Sequence, residues 1–399
     1  MSRQLISRSP DLKRLEDDGY EIEIIQGHII LHNVPYVDAQ RKVRRGNLVS
    51  VLDLSGDRTV KPGTHVVMFA GEHPCDSNGT PLRQLEHSKK PQVIAPGVVV
   101  DRTFSCKPNG GYTDYHHKMT TYAAMISGHA EKIDPSATAR TFQVLESDDN
   151  DSPFNYIDNA SSRAGITAHT KRLELSSVAI VGLGGTGSYL LDFVSKTPVK
   201  AIHLFDGDWF GQHNAFRAPG AATVEELRER LPKVDYFQRR YAGMHRGIVP
   251  HAVNVDEGNV GELRGFDFVF LTMDANPSKE AIIRKLEEFS VPFIDTGMGI
   301  EDSPDGLRGI LRVTTSTPEQ RGHVWDKRRI PMNGGQAGDE YSMNIQVADL
   351  NALNAALAVG RWKRYLGFYA DLEGEHFSTY TLDGNHVTNE DQACPEHKD

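Results

Sequence analysis

A glycine-rich turn follows an apolar run near the middle of the chain, and its composition suits the binding of a phosphate. The run covers residues 178–181, and the turn contains Gly182, Gly184, Gly185 and Gly187. We expect Gly182 to allow the tight turn, Gly184 to let the main chain approach a phosphate, and Gly187 to permit close packing of a helix on the strand. The free N–H groups at the start of that helix would hold the anion. The turn therefore predicts a nucleotide site, but it does not distinguish NAD from ATP.

Two aspartates follow the next apolar run and extend the nucleotide hypothesis. Asp206 lies 24 positions after Gly182, and Asp208 follows two positions later. A carboxylate at this distance from the glycine turn can accept both hydroxyls of a ribose. NAD and ATP both contain that ribose, so the aspartates support a nucleotide without choosing between the two.

Four further polar residues favour ATP, because a dehydrogenase leaves them unexplained. Asn214, Arg217 and Lys233 follow the aspartates, and Asp274 ends a later apolar run. In an open α/β sheet such positions lie near the strand ends, where ligands bind. An amide, a guanidinium, an ammonium group and a carboxylate together suit a triphosphate and its magnesium ion. Asp274 has an alternative role as the cap of a helix that begins near Asn276.

The complete set of motifs resembles the pattern of the ThiF/MoeB adenylyltransferase family, the ancestral form of ubiquitin-activating enzymes, from about residue 160 to residue 368. That pattern is G-x-G-G-x-G after a strand, then D-x-D, N-x-x-R, a Pro-Lys pair, and an aspartate that ends a later strand. Its counterparts here are residues 182–187, 206–208 and 214–217, Pro232-Lys233, and Asp274. The resemblance implies an α/β fold with a Rossmann-like, mainly parallel sheet and helices on both of its faces.

The resemblance also implies roles for individual residues. The four glycines and both aspartates would bind the nucleotide, with Asp206 on the ribose. Asn214, Arg217 and Lys233 would bind the phosphates. Arg217 and Lys233 would also act catalytically, by stabilising the charge that develops as a carboxylate attacks the α-phosphorus. The cofactors implied are therefore ATP and Mg²⁺.

Two further residues complete the implied site. Asp274 would position Mg²⁺ and would be the third catalytic residue. Arg163, ahead of the first strand of this region, would contribute to the nucleotide site of a second copy, which implies a homodimer. The expected reaction is ATP-dependent adenylation of the C-terminal carboxylate of a ubiquitin-like protein. The activated ubiquitin-like protein is then transferred to a conjugating-enzyme-like partner. The alternatives are a peptide adenylyltransferase of the same chemistry, an NAD-dependent oxidoreductase and a nucleotide-binding scaffold.

The cysteines depart from the family pattern. The chain contains only Cys75, Cys106 and Cys394, without any C-x-x-C pair. We therefore expect no structural zinc and no thioester at the loop position that ubiquitin-activating relatives use. The acyl group would instead pass to the nucleophile of a partner, to a hydroxyl such as that of Thr315 or Ser316 in a loop, or to Cys394. Of these three routes we favour the partner.

Composition and periodicity divide the chain into four parts. Residues 1–143 show strand-like runs between turn signals and predict a mainly β domain, which we interpret as a platform for a partner. This part resembles the extra domain found ahead of ThiF domains in bacterial gene sets that encode ubiquitin-like and conjugating-enzyme-like proteins. The acidic, turn-rich segment 144–160 predicts a linker. Residues 161–370, where strands alternate with helices, are the predicted adenylation domain, and residues 371–399 are the predicted C-terminal tail.

Charge and hydropathy exclude several classes of function. The formal net charge of -10 argues against a general affinity for nucleic acid or for acidic membranes. No run approaches the roughly 18 apolar residues that a membrane-spanning helix needs. The N-terminal residues also lack the apolar core of a signal peptide. We expect a cytoplasmic protein that binds neither nucleic acid nor membranes.

Overall fold

The computed structural model describes residues 2–95, 97–144, 152–332 and 345–392. The chain forms two compact units, Met1–Leu145 and Glu146–Asp399. No helix in the described ranges combines the length and the apolar character that crossing a membrane requires.

The helices and strands are numbered in chain order. The helices are α1 Ser2–Arg8, α2 Pro10–Asp17, α3 Tyr115–Glu131, α4 Asn159–Arg163, α5 Thr167–Thr170, α6 Gly185–Val194, α7 Gln212–Ala215, α8 Val224–Glu229, α9 Lys233–Tyr241, α10 Pro277–Glu288, α11 Gly322–Asp326 and α12 Ala348–Tyr365. The strands are β1 Ile22–Ile25, β2 His28–Val37, β3 Val43–Val51, β4 Leu54–Ser55, β5 Arg58–Thr59, β6 Val66–Ala70, β7 Glu86–Ser88, β8 Gln92–Ala95, β9 Val98–Val100, β10 Arg102–Ser105, β11 Ser177–Val181, β12 Ala201–Phe205, β13 Ile248–His251, β14 Phe268–Leu271, β15 Phe293–Ser303, β16 Gly306–Ser316, β17 Phe377–Thr381 and β18 His386–Glu390.

The first unit is built on an antiparallel sheet with the strand order β1-β2-β3-β6-β10-β7. Helix α3 packs against β2 and β3 and buries its aromatic face in the core of the unit. Lys118 of this helix is fully buried, and its ammonium group donates to the hydroxyl of Ser50 at 2.9 Å and to the carbonyl of Thr64 at 2.7 Å. Burial lowers the pKa of Lys118 to about 8. The prediction of a mainly β first domain is confirmed.

The second unit contains an eight-stranded sheet with the order β13-β12-β11-β14-β15-β16-β17-β18. The strands from β13 to β15 are parallel, and the pairs from β15 to β18 are antiparallel. Val178 and Ile180 of β11 join a core that includes α6 and α12, whereas Ala179 and Val181 join a core that includes α10. Successive residues of a strand point to opposite faces, so helices cover both faces of the sheet. This confirms the predicted α/β fold with its mainly parallel sheet.

The order of the strands determines where a ligand binds. From β11 the chain moves outward through β12 to β13, and it then returns to β14 on the other side of β11. This reversal creates a crevice at the carboxyl ends of β11 and β14, which is where open α/β sheets bind their ligands. Gly182 follows β11 and Asp274 follows β14, so both predicted residues lie at this switch point.

The prediction of a C-terminal tail from residue 371 onward was wrong. The segment supplies β17 and β18, which extend the sheet beyond β16 by antiparallel pairing. Strands as short as these are weak signals in a polar sequence, and pairing with β16 stabilises them. The Asp383-Gly384 dipeptide between the two strands is a hairpin signal that sequence reasoning overlooked.

Part of the predicted linker 144–160 is also structured. The main chain of Arg246 donates to the carbonyl of Pro153 at 2.7 Å, and that of Asn155 donates to Met244 at 2.9 Å. The side chain of Asn155 also donates to the carbonyl of Ala242 at 2.7 Å. These bonds attach residues 153–155 to the second unit, because main-chain groups that leave water need a partner.

Candidate nucleotide site

The glycine turn has the geometry that a phosphate-binding turn requires. Gly182 has a φ of +94°, which favours glycine, and its N–H donates to the carbonyl of Phe205 at 2.8 Å. A Cβ atom on Gly187 would lie 2.0 Å from the carbonyl oxygen of Gly182, so helix α6 packs tightly on the turn. A Cβ atom on Gly184 would have no described heavy atom within 4 Å. The turn is therefore closed at Gly187 and open at Gly184, where we predicted that a ligand approaches.

Asn351 of α12 holds the start of α6 in position, and sequence reasoning did not identify it. This residue is fully buried, and its side-chain oxygen accepts a hydrogen bond from the hydroxyl of Thr186 at 3.0 Å. Its side-chain nitrogen donates to the carbonyl of Arg217 at 3.5 Å. A Cβ atom on Gly185 would lie 2.0 Å from that nitrogen, so this glycine makes room for Asn351. The asparagine thus connects the glycine turn to the segment that carries the predicted arginine.

Asp206, Asp208 and Lys233 meet beside the turn. The carboxylate of Asp206 accepts hydrogen bonds from the main chain of Leu183 at 2.6 Å and of Asp208 at 2.9 Å. The ammonium group of Lys233 lies 3.3 Å from Asp206 and 2.7 Å from Asp208. The side chains of Lys233 and Asp206 are each 7% exposed, whereas that of Asp208 is 70% exposed. The ammonium group of Lys233 is therefore held beside the glycine turn by the buried carboxylate of Asp206 and the exposed carboxylate of Asp208.

The segment from Trp209 to Pro232 explains why residues distant in sequence meet here. Phe210 donates its main-chain N–H to the carbonyl of Leu231, and Lys233 donates its own to the carbonyl of Asp208, each at 2.9 Å. The two ends of this segment, which contains α7 and α8, therefore run side by side. This pairing carries the Pro-Lys motif back to the D-x-D motif.

Asn214 and Arg217 present buried donor atoms without acceptors in the described part of the chain. The side-chain oxygen of Asn214 accepts the N–H of Gly211 at 2.9 Å, while its side-chain nitrogen is buried and has no partner. The Nε atom of Arg217 is also buried and has no partner. Buried donors without acceptors are costly, and native proteins normally satisfy them. Phosphate oxygens would satisfy both donors, so the residues present fit a bound nucleoside triphosphate.

Asp274 and Arg163 occupy different surroundings. Asp274 is exposed and lines a cavity at the end of β14. The helix cap that we considered for it is supplied by Asn276 instead, whose side chain accepts from the N–H groups of Ser278 and Lys279. Arg163 is exposed at the end of α4, and no hydrogen bond or ion pair of the described chain joins it to the other predicted residues.

The cavity beside Asp274 has a volume of about 430 Å³ and contains charged residues that sequence reasoning missed. Lys279 lies on its wall, 2% exposed, with its ammonium group 2.6 Å from Asp295 and 3.1 Å from the carbonyl of Met273. Arg312 donates to the other oxygen of Asp295 at 2.7 Å. The position of Lys279 in the first turn of α10, five residues after Asp274, was the available signal. The partners Asp295 and Arg312 follow from the pairing of β15 with β16, which the sequence pattern did not predict.

The prediction that Thr315 and Ser316 lie in a loop, where a hydroxyl could accept the acyl group, was wrong. Both residues lie in β16 and are buried, with exposures of 1% and 2%. Ser316 pairs with Phe293, the first residue of β15, two positions before Asp295. The error arose because this stretch of Thr and Ser was interpreted as a loop, although β-branched threonine favours strands. Cys394, the third route, lies outside the described residues.

The described residues contain no group of three or more His, Cys, Asp or Glu side chains arranged to hold a metal ion. A magnesium ion at a nucleotide site takes most of its ligands from phosphates and water and needs only one or two carboxylates. Asp274 fits that requirement, because it is exposed at the mouth of the cavity.

Comparison with known families divides the chain into two matched regions. Residues 10–159 match DUF6791, a domain of unknown function. Residues 158–321 match the ThiF family. This part of the chain is a ThiF family domain. The resemblance that the motifs indicated is thereby confirmed for the region that contains the glycine turn and Asp274.

Individual relatives match the same part of the chain at low identity. Ubiquitin-like modifier-activating enzyme 5 of Xenopus laevis is 23% identical over 182 residues, which cover 43% of this chain and 44% of the relative. The enzyme of the same name from Aedes aegypti is 25% identical over 187 residues, covering 44% and 45%. The match thus spans less than half the length of these curated relatives. The crystal structure of E. coli MccB with AMPCPP and MccA is 15% identical, with a TM-score of 0.43, over 57% of this chain and 67% of that chain.

Proposed function

We propose that this protein is an ATP-dependent adenylyltransferase that activates the C-terminal carboxylate of a ubiquitin-like protein. One observation carries the proposal: a buried cation is held beside the glycine turn, and two buried donor atoms of the predicted site lack acceptors in the described chain. Lys233 is fixed there by Asp206 and Asp208, and buried donor atoms of Asn214 and Arg217 lack acceptors in the described chain. The ThiF family domain and the likeness to ubiquitin-like modifier-activating enzymes support the same chemistry.

The chemistry is a displacement at the α-phosphorus of ATP. An oxygen of the carboxylate forms a bond to the α-phosphorus, and the bond from that phosphorus to the oxygen bridging to the β-phosphate breaks. Pyrophosphate leaves with the electron pair, and an acyl-adenylate remains. Negative charge grows on the phosphate oxygens during this step. Lys233 and Arg217 stabilise that charge. The ammonium group of Lys233 is held by Asp206 and Asp208 before the reaction begins.

Asp274 and Arg163 complete the proposed site. Asp274 would hold Mg²⁺, which would supply positive charge to the phosphates. Arg163, exposed on α4, reaches the nucleotide of a second copy in a homodimer. Because the hydroxyls of Thr315 and Ser316 are buried in β16, we favour transfer of the acyl group from the acyl-adenylate to the nucleophile of a conjugating-enzyme-like partner.

The test of this proposal is nucleotide binding followed by pyrophosphate exchange. Calorimetry should detect binding of Mg-ATP and should detect none of NAD at the same concentrations. Asp274→Asn should raise the Mg²⁺ concentration needed for half-maximal exchange of labelled pyrophosphate into ATP. Asp302→Asn, an exposed carboxylate that does not line the cavity, serves as the matched control. Tight binding of NAD, with ATP ignored, would show that the glycine turn serves a dinucleotide enzyme instead.

A further inference from the structure

Strand β18 ends the eight-stranded sheet, and its outer edge has no strand partner in the described chain. Two hydrogen bonds show how the neighbouring strand β17 directs its main chain. The carbonyl of His376 accepts the N–H of Thr315 at 2.7 Å, just before β17 begins. The N–H of Leu382 donates to the carbonyl of Gly309 at 2.8 Å, just after β17 ends. The even-numbered residues of β17 therefore face β16, and the odd-numbered residues face β18.

The outer edge of β18 is formed by the main chain of two residues. The odd-numbered residues of β17 lie opposite His386, Thr388 and Glu390. These three residues direct their main-chain groups towards β17, so Val387 and Asn389 direct theirs outward. Both Val387 and Asn389 are exposed. The edge of β18 therefore presents N–H and C=O groups that a further strand can pair with.

The opposite edge of the same sheet is blocked by a proline. The carbonyls of Gly247 and His251, at the two ends of β13, accept N–H groups from the β12 side, so the even-numbered residues of β13 face outward. Pro250 lies on that outer side, and it has no N–H to donate. Natural sheets protect their edges in this way against pairing with other chains. Strand β18 contains neither proline nor lysine, so its edge stays competent to pair.

The two ends of β18 limit the ways in which it can pair with a copy of itself. Asn385 and Asp391, which flank the strand, have φ values of +45° and +55°, so neither residue is extended. Residues 386–390 alone are available for a ladder. A two-fold axis through Thr388 pairs all of them antiparallel. An axis through another residue leaves part of the strand opposite a turn.

In the register centred on Thr388 the strand is complementary to itself. His386 of one copy lies opposite Glu390 of the other, and Thr388 lies opposite its own copy. The two outward-facing residues exchange main-chain hydrogen bonds across the axis. Opposite charges and paired threonines are favourable cross-strand neighbours. Arg329 of the same chain also binds Glu390 and holds its carboxylate beside β18.

We propose that the edge of β18 is a contact between two copies of this chain, formed by antiparallel pairing of residues 386–390 about a two-fold axis at Thr388. The inference goes beyond the proposed function, because no step of adenylation requires this contact. It is also distinct from the homodimer in which Arg163 would act, since Arg163 belongs to α4. Two strands of this length bury less than the roughly 1,200 Å² of a standard interface, so the contact is weak and reversible.

The first experiment measures self-association of the full chain by sedimentation velocity between about 10 and 500 µM. Val387→Pro should lower the mean mass at the highest concentrations by up to about twofold, because it removes an outward N–H but no hydrogen bond to β17. Val387→Ala keeps that N–H and is the matched control, so it should associate like wild type. Equal association of wild type and Val387→Pro at every concentration would overturn the inference.

The second experiment tests the register by oxidising single-cysteine variants of a chain in which Cys106 and Cys394 are replaced by serine. Thr388→Cys should form disulfide-linked dimers, because the α-carbons of a pair without hydrogen bonds lie about 4.5 Å apart. Val387→Cys alone should not, because its own copy lies two residues further along the strand, roughly 8 Å away. A mixture of Val387→Cys and Asn389→Cys chains should cross-link. Equal cross-linking of all single variants, or none in Thr388→Cys, would contradict the proposal.

The third experiment removes residues 393–399, which follow β18 and lie outside the described residues. Association that occurs only in the shortened chain would show that this segment occupies the edge in place of a second copy, and it would overturn the inference.

Association and exchange together separate the two proposals. Pyrophosphate exchange per chain should be the same in Val387→Pro and in wild type, because the edge takes no part in the reaction. Association that depends on Val387, without any exchange, would support the edge contact and contradict adenylation. Exchange without such association would support adenylation and contradict the edge contact.

Discussion

Replacing Lys233 by methionine separates the structural and the catalytic contributions of the cation at the nucleotide crevice. The pair with Asp206 is buried, with both side chains 7% exposed, so removing the lysine leaves an uncompensated buried carboxylate. The loss of one partner of a buried pair costs about 3 kcal/mol. The contact with Asp208, 70% exposed, adds less than about 1 kcal/mol because solvent screens it. We therefore expect Lys233→Met to lower the free energy of unfolding of the second unit by about 3 kcal/mol.

The assay is urea denaturation followed by tryptophan fluorescence, because Trp209, Trp325 and Trp362 all lie in the second unit. Asp208→Ala, the control, should shift the unfolding free energy by less than about 1 kcal/mol. The double variant Asp206→Asn with Lys233→Met should recover most of the lost stability, because the buried charge is removed together with its partner. Pyrophosphate exchange should remain at least about a hundredfold below wild type in both variants that lack Lys233. A Lys233→Met protein as stable as wild type, or one that retains exchange, would refute the reasoning.

Three further predictions concern stability and nucleotide binding. Burial lowers the pKa of His376 to about 4, below the value near 6.5 of an unfolded chain. The contribution of neutral His376 to the free energy of unfolding should therefore be fully present above pH 6.5, and about 3 kcal/mol should be lost as the pH drops towards 4. His376→Gln should reduce this loss in urea titrations at several pH values. Gly187→Ala should destabilise the second unit by about 2 kcal/mol in urea titrations, because the new Cβ would lie 2.0 Å from the carbonyl oxygen of Gly182. Gly184→Ala, by contrast, should weaken ATP binding in calorimetry without a comparable loss of stability. Arg217→Met should lower the affinity for ATP about tenfold with little change in the urea midpoint, because the Nε atom of Arg217 has no partner in the described chain.

The sequence predicted the parts of the fold that local patterns encode. The glycine turn and the apolar runs before it identified β11, α6 and the carboxyl edge of the sheet, because a period of two and a glycine turn leave clear signals. The antiparallel strands β16 to β18 were only partly predicted. Ser316 was assigned to a loop and residues 371–399 to a tail, because short strands in polar sequence are stabilised by their neighbours in the sheet and not by local preference.

The same reasoning applies to the candidate nucleotide site. Asp206 and Lys233 were chosen from spaced motifs, and the structure brings them together. Lys279, Asp295 and Asn351 were not chosen, since each depends on contacts between elements that are far apart in sequence. A polar residue at a strand end or in an apolar helix was the available sign, but such residues are also common as caps or exposed positions.

The central claim is that a carboxylate displaces pyrophosphate at the α-phosphorus of ATP. Its most direct test labels both oxygens of the C-terminal carboxylate of a ubiquitin-like protein with the heavy isotope of oxygen and identifies the nucleotide product by mass spectrometry. The account predicts AMP that carries one heavy oxygen, because the carboxylate oxygen stays on phosphorus when water later hydrolyses the acyl-adenylate at its carbonyl carbon. Formation of ADP, or of AMP without the label, would contradict the account.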